Sequence, residues 1–489
     1  MFYRPTLVTS MWDTWLYHQE GIHYLFYLHQ TFGARWDGMS VATSADGVHF
    51  NEIGPILHKR EDAEWLGTGS VWRAGDRFVL NFSESRDGVQ AIFFAASRDL
   101  IHWRRLPDEL RSDPDPRWYD DTRTGRWDCI WSAQRPDGSL VGYLTARPWS
   151  RTSGLTYESV GKVVSEDGLH WRAAEPPILD WGEWPRMDVG EVGAIQQIAG
   201  RYYLILGYSE GGLGNRHACE GPGARMGMYI FVGDSPDGPF RADTRAHRLL
   251  TSNTATKLMT YFARFYPLSD GVLVNHHSIT RSDVVWCAPL KRAVVDSDGH
   301  LRLGYWEGNE AVKGRAIPIN LTTCERVLPP EPNPAWTATP ERLEISQPFG
   351  GGLVLFPNHF NLGQGVVLEG ELTLYEPPGR WSGAGVYVEE SAKGNTGTAF
   401  MLETRGRAEI GRLNGQGRFV PDDVLPLEIR PGITSHFRLL VRQSLAELYV
   451  DDLLVQCYSL PEWASGHLGL VVESGRAVFE HVRAWEMNL

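Results

Sequence analysis

Short stretches in which apolar and polar residues alternate make up most of the chain, and long helical periodicity is nearly absent. The stretches are rich in Val, Ile, Tyr, Phe and Trp, and turns of Gly, Asp and Pro separate them. Successive side chains of a strand point to opposite faces, so this pattern predicts many short antiparallel strands. We therefore expect an all-β protein.

An internal repeat indicates how these strands are grouped. Three near-identical copies of Ser-x-Asp followed by a His and an aromatic residue begin at Ser44, Ser97 and Ser165. A weaker copy begins at Ser235, and Asp296-Ser-Asp298-Gly-His300 marks a fifth. Each copy predicts a tight turn between the outer strands of a four-stranded blade. Five such units within the first ~310 residues predict a five-bladed β-propeller.

The character of the sequence changes after the propeller region, which we place at residues 1–312. Residues 313–342 are Pro-rich and predict a surface linker. Residues 343–489 return to strong alternation with short turns, as in GVVLEGELTLYE, which predicts a β-sandwich domain. Within it, residues 438–452 predict a two-stranded hairpin.

Composition excludes several classes of function. The net charge of -13 and the lack of a basic run argue against nucleic-acid binding. The five Cys are scattered without zinc-site spacing, so we expect neither a metal nor a cofactor. The N-terminus lacks a signal-peptide pattern and no apolar stretch is long enough to span a membrane, so we expect a cytoplasmic protein without a membrane partner. A homo-oligomer is compatible with the sequence.

Three carboxylates stand out because each lies beside aromatic or apolar strand residues of a different blade. Asp13 lies between Trp12 and Trp15, Asp128 follows Arg126 and Trp127, and Glu191 leads into an apolar strand. First strands of a propeller converge on a central funnel, where such side chains meet. Glycoside cleavage needs one protonated and one ionised carboxyl group, and a third can stabilise the developing charge. The three residues therefore predict a glycosidase site.

At these positions the chain resembles glycoside hydrolase family 32, which contains invertases, levanases and inulinases. Met11-Trp-Asp13-Thr-Trp15 and the strand from His23 to His29 follow the layout of the family's first motif. Gly69-Ser70, Arg126-Trp-Asp128 and Glu191-Val-Gly193 are similar to its three later motifs. The first motif lacks the family's Asn and Pro residues, and Val192-Gly193 replaces Cys-Pro.

The resemblance implies a retaining, exo-acting hydrolase of fructofuranosides or related furanosides, with fructosyl transfer as a second outcome. By it, Asp13 is the nucleophile, Glu191 the general acid/base and Asp128 the transition-state stabiliser. The sugar partner would contact a larger set of residues: Trp12, Trp15, His29, Trp36, Trp65, Gly69, Ser70, Arg126, Trp127, Asp188 and His276.

Other interpretations stay open at this point. Arg186-Met-Asp188 also matches the Arg-Asp motif, although Asp188 lies only three residues before Glu191. Related propeller families contain inverting arabinofuranosidases, which need a wider carboxyl separation of about 6.5–9.5 Å. The altered first motif also suits a carbohydrate-binding propeller without catalysis.

Overall fold

The computed structural model describes residues 1–31, 35–149, 160–184, 189–208, 227–245, 247–251, 260–328, 335–347, 350–390 and 396–489. It is all-β, apart from short 3-10 helices such as Asp108–Leu110, Glu307–Val312 and Leu321–Thr323. No helix in the described ranges combines the length and the apolar character needed to cross a membrane. The all-β prediction is confirmed.

The chain divides into two compact units, of which the first comprises residues 1–278 and 285–308. Its first three sheets each contain four antiparallel strands in chain order. The first sheet contains β1 (Ser10–Gln19), β2 (Ile22–Gln30), β3 (Gly38–Ser44) and β4 (Asn51–His58). The second contains β5 (Trp65–Ala74), β6 (Arg77–Arg86), β7 (Val89–Ser97) and β8 (Arg104–Arg105). The third contains β9 (Trp127–Gln134), β10 (Leu140–Ala146), β11 (Val160–Ser165) and β12 (Arg172–Ala174).

A fourth sheet contains β13 (Leu179–Asp180), β14 (Val189–Ile198), β15 (Arg201–Tyr208), β16 (Gly227–Gly233), β17 (Phe240–Ala242) and β18 (Arg248–Thr251). Its strand order is β13-β17-β16-β15-β14, with β18 beside β16. The last strands of the unit are β19 (Thr260–Leu268), β20 (Gly271–Ile279), β21 (Val285–Cys287), β22 (Lys291–Val295) and β23 (Leu301–Tyr305).

Four separate blades are thus established, where the sequence predicted five. The strands of the predicted fifth blade pair in chain order, but the position beside β20 is divided between the short strands β21 and β22. This division breaks the simple four-strand pattern of the other blades. The first strands of all five groups nevertheless contact one another in a closed series, β1 to β5, β9, β14, β19 and back to β1.

The repeated turns lie where the sequence predicted them, between the third and fourth strands of a blade. In the first copy the Asp46 carboxylate accepts hydrogen bonds from the backbone N–H groups of Val48 and His49, at 2.9 and 2.8 Å. Its other oxygen lies 2.7 Å from Nδ1 of His49. Asp99 and Asp167 make the same contacts in the next two copies.

Apolar faces of neighbouring blades pack on one another and form the core of this unit. Trp15 and Phe26 of the first blade share one cluster with Leu66 and Phe82 of the second. Similar clusters join the second blade to the third and the third to the fourth. This face-to-face packing is the propeller arrangement that the sequence predicted.

The second unit comprises residues 279–284 and 309–489. Its strands are β24 (Lys313–Ile317), β25 (Glu325–Leu328), β26 (Ala335–Ala338), β27 (Arg342–Gln347), β28 (Gly352–Leu355), β29 (Val366–Tyr375), β30 (Gly383–Glu389), β31 (Gly397–Glu403), β32 (Arg407–Leu413), β33 (Phe419–Pro426), β34 (Thr434–Arg442), β35 (Leu445–Val450), β36 (Leu453–Ser459) and β37 (Leu468–Met487).

The long strand β37 belongs to two sheets of this unit. Its first half pairs with β28 and β30, and its second half pairs with β24, β27 and β29. Side chains of both sheets meet in one apolar cluster, an arrangement typical of a β-sandwich. The predicted hairpin is present as β34 and β35. The stretch at 313–342 that the sequence assigns to a linker contains β24, β25 and β26.

Candidate active site

A cavity of about 430 Å³ opens in the first unit and brings side chains from four blades together. It is lined by Trp12, Asp13, Leu28, Gln30, Arg35, Trp36, Trp65, Leu66, Gly67, Thr68, Arg126, Asp128 and Glu191. Its size is within the range of pockets that bind small molecules. All three predicted carboxylates face this one space.

An extra residue in β1 places Asp13 in the cavity. Trp12 pairs with Leu28 and Thr14 pairs with Tyr27, so Asp13 has no partner of its own on β2. Its φ of 42° lies in the left-handed region, which few residues other than Gly adopt but Asp tolerates better than most. A bulge of this kind re-aims a side chain, and bulges are frequent beside active sites.

Each of the other first strands of the five groups carries a similar irregularity. An extra residue lies between Leu66 and Gly69 in β5 and between Asp128 and Trp131 in β9. β14 has two register shifts, one on either side of Glu191 and Val192. β19 has an extra residue between Tyr261 and Arg264. In β1, β9 and β14 the irregularities in strand pairing therefore lie at or next to Asp13, Asp128 and Glu191.

Asp128 is buried and held by a hydroxyl group. The Ser83 hydroxyl donates a hydrogen bond of 2.6 Å to Oδ1, and Nη2 of Arg126 lies 3.7 Å from Oδ2. Burial raises the pKa of Asp128 above its ordinary value, and the nearby charge of Arg126 acts in the opposite direction. The carboxylate is thereby fixed in orientation toward the cavity.

Arg126 joins Asp128 to Glu191. Its Nη2 donates a hydrogen bond of 3.3 Å to Oε1 of Glu191, and its Nη1 donates one of 2.5 Å to the carbonyl oxygen of Gly190. Burial raises the pKa of Glu191, whereas Arg126 lowers it. A carboxyl group whose pKa is raised can retain the proton that a general acid must donate.

Asp13 is the third carboxyl group of the cavity, and it is buried. Burial raises its pKa well above the ordinary value, the charge of Glu191 raises it further, and the charge of Arg264 lowers it. Oδ1 of Asp13 and Oε2 of Glu191 have no hydrogen-bond partner among the described residues. Buried carboxylate oxygens without partners can accept hydrogen bonds from a bound ligand.

Three aromatic side chains line the cavity. The rings of Trp12 and Trp36 are stacked, with centroids 6.1 Å apart and an interplanar angle of 26°. Trp65 lines the same space. Flat rings of this kind pack against the apolar face of a sugar. These three Trp and Arg126 are the predicted substrate-binding residues that the structure brings to the cavity.

Several predicted substrate-binding residues lie in the interior instead. Trp15 and Trp127 are fully buried in the clusters between blades, because each lies on a strand face that packs against the next blade. The His29 ring is hydrogen bonded to Ser40 at 2.8 Å. Gly69 and Ser70 lie on β5 beyond the cavity lining, and Ser70 donates to the carbonyl oxygen of Ile130 at 2.6 Å. His276 is buried on β20, and Asp188 lies outside the described residues.

The structure adds residues that the sequence analysis did not select. Leu28, Gln30, Arg35, Leu66, Gly67 and Thr68 line the cavity. Arg264 of β19 is fully buried and acts electrostatically on Asp13, Asp128 and Glu191. Its signal in the sequence is a charged residue inside the apolar strand TYFARFYPL, where burial requires compensation.

Potential metal ligands cluster elsewhere in the described part of the chain. One group is Asp296, Asp298 and His300, and another is Glu403, Glu409 and Glu473. Asp13, Asp128 and Glu191 belong to no such group among the described residues. The polar groups that line the cavity are carboxyl, guanidinium, hydroxyl, amide and indole groups.

Comparison with known proteins agrees with this architecture. No protein-family model matches the chain, and no curated protein sequence matches it. Among solved structures, a sucrose-6-phosphate hydrolase from Lactobacillus gasseri is similar with a TM-score of 0.67 and 14% identity, over 98% of this chain and 91% of that one. An exo-inulinase from Aspergillus awamori gives a TM-score of 0.65 and 14% identity, over 100% and 98% of the two chains.

A glycoside hydrolase family 32 β-fructofuranosidase from Bombyx mori is also similar, with a TM-score of 0.65 and 13% identity, over 98% of this chain and 92% of that one. At this level of identity the similarity establishes a shared fold. The chain is therefore an all-β protein of the β-propeller class, and its fold is similar to that of these three proteins.

Proposed function

We propose that the protein is a glycoside hydrolase that cleaves fructofuranosides or a related class of furanosides. The observation that carries the proposal is the meeting of Asp13, Asp128 and Glu191 in one cavity, each on an irregular first strand of a different blade. A carbohydrate-binding protein needs no such set of buried carboxyl groups. Glycoside cleavage requires two carboxyl groups, and a third can stabilise the charge that develops on the sugar.

In the proposed reaction Asp13 attacks the anomeric carbon and forms a covalent glycosyl-enzyme intermediate. Glu191 first donates a proton to the leaving oxygen and then removes a proton from the attacking water. Asp128 stabilises the positive charge that develops on the sugar ring. Arg126 supports both steps, because it contacts Glu191 and Asp128 with the same nitrogen atom.

The substrate class is inferred from the fold and the lining of the cavity. The structures compared above carry the names of proteins that act on sucrose 6-phosphate, inulin and other β-fructofuranosides. The stacked pair of Trp12 and Trp36 would bind the sugar unit next to the cleaved bond. Because the carboxylates lie in a pocket of limited volume, we propose exo-action on the end of a chain or on a small glycoside.

We also propose that β19 to β23 act as the fifth blade of the propeller. β19 contacts both β14 and β1, and Nδ2 of Asn275 in β20 donates to the carbonyl oxygen of Thr14 at 2.9 Å. The backbone of Phe2 donates to Cys287 in β21 at 2.9 Å. These contacts would close the ring beside Asp13.

The test is product release from a panel of sucrose, kestose, inulin, levan and nitrophenyl arabinofuranosides. We expect fructose release by the wild type and a loss of at least about a thousandfold in Asp13→Ala and Glu191→Ala. The exposed Glu109, which lies outside the cavity, provides the matched control as Glu109→Ala. Release of arabinose would be consistent with the proposed catalytic residues but would contradict the proposed fructofuranoside substrate. Tight sugar binding without any product would overturn the hydrolase assignment.

A further inference from the structure

Arg264 is a fully buried cation at the centre of the first unit. It lies on β19, directly after the extra residue that interrupts pairing with β20. Phe262, two residues earlier, has a φ of 60°, so the strand is bent out of its regular path at this point. A buried guanidinium group is costly unless it is paired and hydrogen bonded, which indicates that its position is specified by its contacts.

The contacts of Arg264 reach the backbone beside two carboxylates. Nη1 donates a hydrogen bond of 2.7 Å to the carbonyl oxygen of Val192, the residue after Glu191. Nη2 lies 3.4 Å from Sγ of Cys129, the residue after Asp128. The guanidinium carbon lies 3.6 Å from the ring centroid of Phe262, which fixes the plane of the group. Arg264 therefore ties β19 to β9 and β14.

The two arginines act on the carboxylates in different ways. Arg126 has direct contacts with Asp128 and Glu191. Asp13 has no ion pair among the described residues, and Arg264 is the cation whose charge lowers its pKa. The carboxylates of Glu191 and Asp128 raise the pKa of Asp13, and the hydroxyl group of Thr68 lowers it. Cys129, Tyr261 and His277 are buried titratable neighbours. Burial raises the pKa values of Cys129 and Tyr261, and burial together with the charge of Arg264 lowers the pKa of His277.

We propose that Arg264 is a positioning residue of the reaction, which holds the strand segments that carry Glu191 and Asp128 and thereby keeps a buried positive charge beside the carboxyl groups of the site. This inference rests on the proposed function, because it assigns Arg264 to the reaction of Asp13. Without the guanidinium group, Asp13 would retain its proton to higher pH and would lose nucleophilicity. Substrate binding through the Trp side chains would change little.

The test compares Arg264→Met and Arg264→Lys with the wild type, and the exposed Arg104, as Arg104→Met, serves as control. In Arg264→Met we expect kcat to fall at least about tenfold, with KM changed less than about twofold. The acidic limb of its pH–rate profile should move to higher pH by about one pH unit. Arg264→Lys should restore the wild-type limb. An unchanged acidic limb in Arg264→Met would overturn the inference.

A second readout does not need turnover. A water-soluble carbodiimide with an amine labels protonated carboxyl groups, and peptide mass spectrometry reports the labelling of Asp13 as a function of pH. We expect the midpoint of labelling to move to higher pH in Arg264→Met and to stay unchanged in Arg264→Lys. Identical midpoints in all variants would overturn the inference. Lack of activity in the wild type, together with the expected shift in labelling, would overturn the proposed function alone.

Discussion

At the scale of single residues, Asp13 combines several features that cost stability. It has a positive φ, it is buried, and one of its oxygens has no partner among the described residues. Such features persist at functional sites because the surrounding structure enforces them. The features that suit Asp13 to the proposed reaction therefore lower the stability of the folded protein.

Because a buried, ionised Asp13 costs stability, we predict that Asp13→Asn stabilises the protein at neutral pH. Because the pKa of Asp13 in the folded state lies above its ordinary value of about 3.9, the folded state resists loss of the proton. The wild type therefore loses stability as pH rises from about 4 through the folded-state pKa. Because Asn carries no charge, the variant does not lose stability in this way as pH rises. We expect a gain of about 1 kcal/mol at pH 7, with activity abolished.

The measurement is urea unfolding at pH 7 and again near pH 4. The gain of Asp13→Asn over the wild type should shrink at the lower pH, where both side chains are neutral in the folded state. Asp87 lies in an exposed turn and also has a positive φ, so Asp87→Asn controls for the backbone conformation. A variant less stable than the wild type at pH 7 would contradict the argument.

At the scale of secondary-structure elements, irregular first strands position the site. β5 illustrates this, since its extra residue lies at Gly67 and Thr68 in the cavity wall. A Cβ atom on Gly67 would lie 2.2 Å from Oγ of Ser83 and 2.9 Å from Oδ1 of Asp128. Gly67 therefore allows Ser83 to reach Asp128.

We predict that Gly67→Ala impairs both stability and catalysis. The added methyl group must displace the Ser83 hydroxyl or the Asp128 carboxylate, at a cost of about 1–3 kcal/mol. Removal of the hydroxyl in Gly67→Ala/Ser83→Ala should recover part of the stability, while activity stays low because Asp128 has lost its hydrogen bond. Thermal unfolding and product release measure the two effects. Wild-type stability in Gly67→Ala would show that the contact does not constrain this strand.

The same elements show what the sequence could and could not predict. The Ser-x-Asp turns were predictable because Asp46, Asp99 and Asp167 make only local hydrogen bonds within their own repeat. The extra residues in β1, β5 and β9 were not, since a bulge leaves the alternating pattern almost unchanged and is fixed by pairing across the sheet. Trp15 and Trp127 were expected beside the substrate. Both are buried between blades, because each lies on a strand face that packs against the next blade.

At the scale of the whole molecule, the placement of the three carboxylates on first strands of different blades was enough to predict that they meet. Asp13, Asp128 and Glu191 each lie on a first strand, and those strands contact one another around the cavity. Arg264 and Gln30 were not predicted, because their importance depends on which residues of other blades they face. The blade count was predicted as five, and four separate blades are established.

The measurement that tests the central claim most directly is chemical rescue of Glu191→Ala with azide on an activated furanoside. If Asp13 is the nucleophile and Glu191 the acid/base, azide should replace water in the second step. Activity should then rise, and the product should be a glycosyl azide of retained configuration, identified by NMR. Asp13→Ala under the same conditions should give no retained product. A glycosyl azide of inverted configuration from Glu191→Ala, or no rescue at all, would contradict the assigned roles.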